Sequence, residues 1–487
     1  MLNRRNLIAL GGAVAGGALL AQRAAFSSTT TGSAPPVDHA GHHPAPKATQ
    51  SAPALTTEAF RVPMPLPPVA APVRCLPDRD EYLLDLRPAD VEIVPGLRTA
   101  AYTYGGSFVG PVIRARRGRP VRVAFRNRLD VASNVHLHGG HVPADSDGHP
   151  MDLIQPGERR VYDYPNTQPG TTLWYHDHAH GVEAEHVYRG LHGFYLIEDD
   201  DERRLGLPTG SYDVPIMLRD AQFDPDGAFV YGNPALRNTV LANGRPQPYF
   251  PVDARRYRFR LLNASNEGVF TLRLDGAQIW QIGTDGGLLP APVARSEISF
   301  GSGERVEILV DFSRQRPGTS LTLTDAVRGP VVRFDVRRRV RDTSRLPDRM
   351  RALPDLPPAT VEREVHLAFD LSGVPTGLVN GKPYDPERVD FVVRRGATEI
   401  WRVYNDDTEY GFLHNFHMHL VQFRVLDRDG APMTPDDAGL KDTVTVPPGT
   451  SVRVQATFTD FLGRYAYHCH FLEHSSVGMM AQMEIVP

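Results

Sequence analysis

Three segments of this 487-residue chain repeat one another at a fixed interval. Pro156-Gly157-Glu158-Arg159-Arg160-Val161, Ser302-Gly303-Glu304-Arg305-Val306-Glu307 and Pro448-Gly449-Thr450-Ser451-Val452-Arg453 each open an alternating apolar run, and their glycines stand 146 residues apart both times. A second series, Val121 to Asn127, Tyr257 to Asn263 and Glu399 to Asn405, consists of strand-like runs that all end in Asn. A period this long implies tandem domains, since solenoid units are only about 20–50 residues. The length agrees with about three domains of about 150 residues each. Short alternating stretches broken by Pro and Gly, 43 of each, have the pattern of Greek-key β-sandwiches. The expected fold is therefore all-β, with three tandem sandwiches over residues 60–200, 206–345 and 360–487. An Asp/Arg-rich stretch near Asp199 to Arg204 and a Pro-rich one near Leu346 to Pro358 read as linkers.

The repeat also exposes an asymmetry. Nineteen residues after Gly157 stands His176 and nineteen after Gly449 stands His468, whereas the same offset from Gly303 reaches Thr322. The outer copies carry potential ligands that the middle copy lacks.

The run Tyr467-His468-Cys469-His470-Phe471-Leu472-Glu473-His474-Ser475-Ser476-Val477-Gly478-Met479-Met480 concentrates this chemistry. Cys469, His474 five residues on and Met479 five beyond can give one copper a thiolate, an imidazole and a weak axial thioether, with one more His needed from elsewhere. On an extended segment alternate side chains face opposite ways, so His468 and His470 point away from that ion and toward another. Three earlier clusters can complete the second site: His136-Leu137-His138-Gly139, His176-Asp177-His178 and His414-Asn415-Phe416-His417-Met418-His419. Each His-x-His pair can send two imidazoles from one rigid strand toward a common point. A structural zinc site is closed and tetrahedral, and an array of twelve ligands in two adjoining groups does not suit it.

Four blocks in the order HxHG, HxH, HxxHxH and HCHxxxHxxxxM resemble the multicopper oxidases. Val135 to Gly140, Asp145-Ser146-Asp147-Gly148, Trp174 to Ala179 and Arg256 to Asn266 look closest to the bacterial spore-coat laccase and bilirubin oxidase branch. The resemblance runs from about residue 60 to the C-terminus. It implies cupredoxin-like domains, a metal-free middle domain and four copper ions. By resemblance, His136 and His417 hold the type 2 copper, while His138, His176 and His470, and His178, His419 and His468, hold the two type 3 coppers. His414, Cys469 and His474 would bind the type 1 copper with Met479 axial; Met480 is one residue off the family spacing. An axial Met lowers the potential relative to an apolar residue.

The implied activity couples four one-electron oxidations of phenolic or aryl-amine donors to reduction of O2 to two waters. Asp147, eleven residues after His136, is expected to deliver protons. Just after the type 1 His many relatives carry Glu, whereas this chain has Ser475, so a slower oxygen step or a water-mediated substitute is expected. The alternatives are a cuprous or ferrous ion oxidase of copper tolerance and a non-catalytic copper-binding scaffold. Only Met418 and Met433 precede the copper-binding tail in the third domain, which favours small organic donors over Cu(I). The loop from Asp429 to Asp442 is expected to shape the donor pocket.

Other features bound the reading. His180 is expected to be a non-ligand, since eight imidazoles already fill the cluster, and His141, His149, His186, His192 and His366 to be surface or hydrogen-bonded. Trp174 and Trp401 read as core aromatics, and Cys75, the one other cysteine, as a partly buried free thiol. A net charge of −4 with no basic stripe gives no case for nucleic acid, and Arg337-Arg338-Arg339 reads as a solvated face. Residues 1–25 read as a leader: Arg4-Arg5 precede an apolar stretch from Leu7 to Ala21 that is short for a membrane span and resembles a twin-arginine export signal. That implies recognition by the twin-arginine machinery and a periplasmic, cell-surface or extracellular destination, without stable membrane insertion. Residues 26–59, rich in Ser, Thr, Ala and Pro, read as a flexible tether whose His39, His42 and His43 are solvated.

Overall fold

The computed structural model of the chain describes residues 55–487. The expected leader, and the tether with His39, His42 and His43 as far as residue 54, lie outside the described residues.

Strands dominate, and their sheets fall into three successive pairs of five and four, seven and five, and six and five strands. Each pair encloses its own apolar core, centred on residues such as Phe125 and Tyr162 in the first, Phe259 and Phe334 in the second and Trp401 and Phe416 in the third. The alternation in Val121–Asn127, with every odd-numbered residue buried, is what a strand with one face on such a core produces.

The sequence repeat corresponds to one structural device used three times. In each sandwich the first long strand runs parallel to the strand ending in Asn, and that strand pairs antiparallel with the one the repeated Gly opens. The trios are Asp80–Val91, Val121–Asn127 and Arg159–Tyr164; Asp213–Ala221, Arg256–Asn263 and Arg305–Asp311; and Val361–Asp370, Thr398–Asn405 and Ser451–Thr457. The N–H groups of Gly157, Gly303 and Gly449 donate to the carbonyls of Asn127, Asn263 and Asn405 at 2.9, 2.8 and 2.9 Å. Each Asn side chain also donates to two backbone carbonyls and accepts from the N–H two residues on, tying down a turn that would otherwise leave buried polar groups unpaired.

The first and last sandwiches meet where their ligand-bearing strands end. The helices Glu183–Arg189 and Leu472–Ser476 close this junction, packed through Ala184, Val187 and Leu472. Before the first sandwich the chain touches the middle one: Phe60 and Met64 donate backbone hydrogen bonds to Gln247 and Tyr249. No helix among the described residues is long and apolar enough to cross a membrane.

Cys75 departs from its expected burial. It lies in the two-residue strand Arg74–Cys75 at a sheet edge, exposed, because only Asp80–Val91 pairs with it. Trp401 is fully buried against Phe391 and Tyr467, a core aromatic as expected, and Arg337, Arg338 and Arg339 are exposed.

Candidate metal centre

Sheet register assembles the larger site. Antiparallel pairing sets His136 opposite His176 and His138 opposite Trp174 in the first sandwich, and His417 opposite His468 in the third. The two sets meet across the junction, where the rings of His136 and His419 stack at 3.8 Å and those of His138 and His417 at 3.8 Å. All eight imidazoles are buried. The ring nitrogens of His138, His176 and His470 converge within 4.8 Å of one another, and so do those of His178, His419 and His468. His136 and His417 converge likewise with His138.

Six of the eight rings are oriented by a hydrogen bond of 2.9 Å or less on the far side. Nδ1 of His136, His176, His417 and His468 donates to the carbonyls of Asp147, Asp177, Asp442 and Cys469 at 2.6, 2.8, 2.8 and 2.9 Å. Nε2 of His138 donates to Asp442 Oδ1 at 2.9 Å, and Nδ1 of His419 to Asp147 Oδ2 at 2.7 Å. These bonds fix the tautomers and direct the remaining lone pairs inward.

Nε2 of His136, His176, His417 and His470 and Nδ1 of His138 have no hydrogen-bond partner although buried. The Nε2 atoms of His178 and His419 approach that of His468 to 3.2 and 3.3 Å. Acceptors gathered this way repel one another and forfeit solvation, so the donor set fits cations. Protons would serve poorly, since burial and neighbouring imidazoles hold His138, His178 and His417 well below the usual imidazole range.

The smaller site lies on the opposite face of the same strand end. Cys469 Sγ is 3.7 Å from His414 Nδ1 and 3.5 Å from His474 Nδ1, and the two nitrogens are 3.0 Å apart. His414 Nε2 donates to Asp407 Oδ2 at 2.7 Å. Burial pushes the Cys469 thiol up to about 12, so only a bound cation would hold it as thiolate. Met479 is buried in the apolar cluster that contains Cys469, whereas Met480 packs with Tyr384 and Ala466. His468 and His470 flank Cys469 and belong to the other site, so a single tripeptide spans both.

The multicopper oxidase family models match residues 355–487 and 86–202. A laccase of Bacillus stratosphericus is 34% identical over 89% of this chain and 100% of its own length, and a bilirubin oxidase of Albifimbria verrucaria is 33% identical over 87% and 80%. The solved laccase of Pediococcus acidilactici superposes with a TM-score of 0.82 at 31% identity, covering 89% of this chain and 95% of that one. The chain belongs to the multicopper oxidases.

A multicopper oxidase is an oxidoreductase that uses O2, and laccases of this family use four copper ions: one type 1, one type 2 and two type 3. The unpartnered lone pairs fit that complement. Around them this multicopper oxidase carries residues that sequence patterns miss. Asp442 serves two imidazoles at once, with its side chain on His138 and its carbonyl on His417, and Arg305 of the middle sandwich donates to its Oδ1 at 2.7 Å. Asp407 was detectable only as the residue two beyond a repeated Asn. Trp174 is buried as expected but also walls the cluster, stacking on His176 at 4.1 Å.

The other histidines among the described residues stand outside the convergent groups. His180 is half-buried beside Tyr384. His141 bonds Leu420 and Asp460, His149 Gln482, His192 Arg219 and His366 Asp406, and His186 faces Asp177 at 3.3 Å. Asp147 lies fully buried between His136 and His419, with Oδ1 unpartnered, and burial pushes its carboxyl up to about 6. Ser475 donates to Glu183 Oε1 at 3.0 Å.

The segment expected to shape the donor pocket is placed elsewhere. The loop from Asp429 to Asp442 lies against the middle sandwich, where Asp436 bonds Arg295, Leu440 accepts from Gly286 and Lys441 pairs with Asp285. Complementary charge draws it there. The groups around His474 are Glu267, Phe369, Phe412 and Phe471.

Proposed function

We propose that this multicopper oxidase is a laccase-like enzyme taking electrons singly from small phenols, aryl amines or bilirubin-like pigments. The observation that carries the reading is the register at Cys469, which faces His414 and His474 while His468 and His470 join the buried cluster. His414, Cys469, His474 and Met479 would hold the type 1 ion. His136 and His417 would hold type 2, and the triads His138, His176, His470 and His178, His419, His468 would hold type 3. With copper bound, the set stores single electrons and supplies four to O2.

The protein's own part is positioning and proton handling. Asp147 orients His419 through Oδ2 and can hold a proton at Oδ1. His474, 7% exposed, is the donor-side edge, and Phe369, Phe412 and Phe471 around it suit a flat aromatic donor. Met418 is buried in the core and Met433 is exposed on the loop against the middle sandwich, so neither supports a cuprous-ion site at this edge.

Oxygen uptake by the copper-loaded protein should be compared with a phenol, an aryl amine, bilirubin, Cu(I) and Fe(II). Faster uptake with the organic donors is expected. Uptake with Cu(I) or Fe(II) alone would make it a metal-ion oxidase, and a colourless, inactive holoprotein a scaffold. The Arg4-Arg5 leader supports export through the twin-arginine route after folding. Replacing both arginines by Lys should retain active enzyme inside the cell, as fractionation would reveal.

A further inference from the structure

Ser475 follows His474 directly, at the position where the resemblance leads one to expect Glu. A carboxylate stands beside it nonetheless, contributed by another sandwich. Glu183 is fully buried and accepts from the Ser475 hydroxyl, while its Oε2 has no partner. Among the described residues no Lys, Arg or His pairs with it, although a Glu is almost never buried so completely without a cation. An acidic residue in the first turn of a helix suits the helix dipole, but Glu185 in the same turn does that while pairing with Arg189. The dipole does not account for a buried, half-unpaired carboxylate.

Two backbone segments hold it in place. Glu183 opens its helix five residues after His178, and its N–H donates to the Ala179 carbonyl at 3.0 Å, which folds the helix back onto the ligand-bearing segment. The facing helix Leu472–Ser476 begins two residues after His470. Glu183 therefore lies between the segments bearing His176 and His178 and those bearing His470 and His474, without belonging to any convergent ligand group.

We propose that Glu183, held by Ser475, is a second proton-transfer residue of the oxygen-reducing centre beside Asp147 and supplies from the first sandwich the carboxylate that position 475 lacks. The inference rests on the oxidase reading. Four donors each give up one electron, a phenol releasing its proton to solvent, and one O2 takes up four electrons and four protons to give two waters. Those protons are consumed in the buried cluster, so they must be carried inward. Glu183 takes a proton at Oε2 and releases it toward the cluster. Burial pushes its carboxyl up to about 7, where it can both accept and give a proton near neutral pH. The titratable groups facing it are Asp177, His186, Tyr231 and Tyr384, with Glu185 on its own helix and Glu473 and His474 on the facing one.

The test uses copper-loaded full-length protein in stopped flow, separating anaerobic bleaching of the blue colour by hydroquinone from reoxidation of the reduced enzyme by O2. E183Q is expected to bleach at the wild-type rate and to reoxidise roughly 100-fold more slowly. E183Q with S475E should recover most of the reoxidation rate. S475A, which keeps Glu183 and removes only a bond favouring its charged form, should shift the pH profile of reoxidation upward, and it serves if Gln at 183 impairs copper loading. Wild-type reoxidation in E183Q, or an unshifted profile in S475A, would overturn the inference alone. Failure of the wild type to reoxidise with O2 would overturn the oxidase reading as well.

Discussion

Gly303 lies so close to the His470 imidazole that a Cβ on it would stand 2.8 Å from Nδ1. The middle sandwich, without a ligand of its own, thus sets where one imidazole of the cluster can stand, and Ser302 Oγ sits 3.4 Å from the same nitrogen. With φ at +83°, Gly303 is also in the left-handed region that a side chain disfavours. G303A is expected to cost on the order of 1–3 kcal/mol and to lower copper below four per chain while the type 1 colour survives. Urea unfolding and metal analysis would check both.

Cys469 is the only thiol in the convergent groups. In C469S a hydroxyl replaces the soft ligand, so the protein should bind three coppers, lose its blue absorption and take up oxygen only at background. Absorption spectra with metal analysis decide this, and a blue C469S protein would rule out the ligand assignment.

Asp442 links His138, His417 and the fully buried Arg305. D442N would leave the guanidinium with Asp285, at 3.6 Å, as its remaining carboxylate partner. The expected losses are about 3 kcal/mol in stability and roughly 10- to 100-fold in copper affinity. Denaturant titration and competitive copper binding measure them separately.

Copper removal should make the protein acid-labile. Burial lowers His176 and His468 from the ordinary 6.5 to about 4, so between these values the unfolded chain binds protons that the folded one excludes. Stability of the copper-free protein should therefore fall as pH drops from about 6.5 to about 4, and change little above that window through these groups. Bound copper occupies the same lone pairs and should protect against the loss. Thermal melts with and without chelator across this range provide the check.

Most of the metal chemistry was legible because ligand identity is local. A His-x-His pair on a strand shares a face whatever its surroundings, and the repeat at Gly157, Gly303 and Gly449 marks one turn folded three times. Side chains that act across the junction were not legible. The Asp429 to Asp442 loop was expected beside the donor edge, yet ion pairs with Arg295 and Asp285 hold it on the middle sandwich. Cys75 was expected to be partly buried from its residue type, but an edge strand leaves it exposed.

The amino-acid order alone determined the all-β architecture and the shared face of each His-x-His pair, since period-two alternation and tight turns act over a few residues, while the resemblance of the four motifs implied the family and the grouping of the donors. The packing of three sandwiches decided what lies outside those donors. Asp442 stands 304 residues from His138, and Glu183 stands 292 from Ser475. No local rule relates residues so far apart, because their contact exists only once burial has paid the chain entropy of bringing separate domains together.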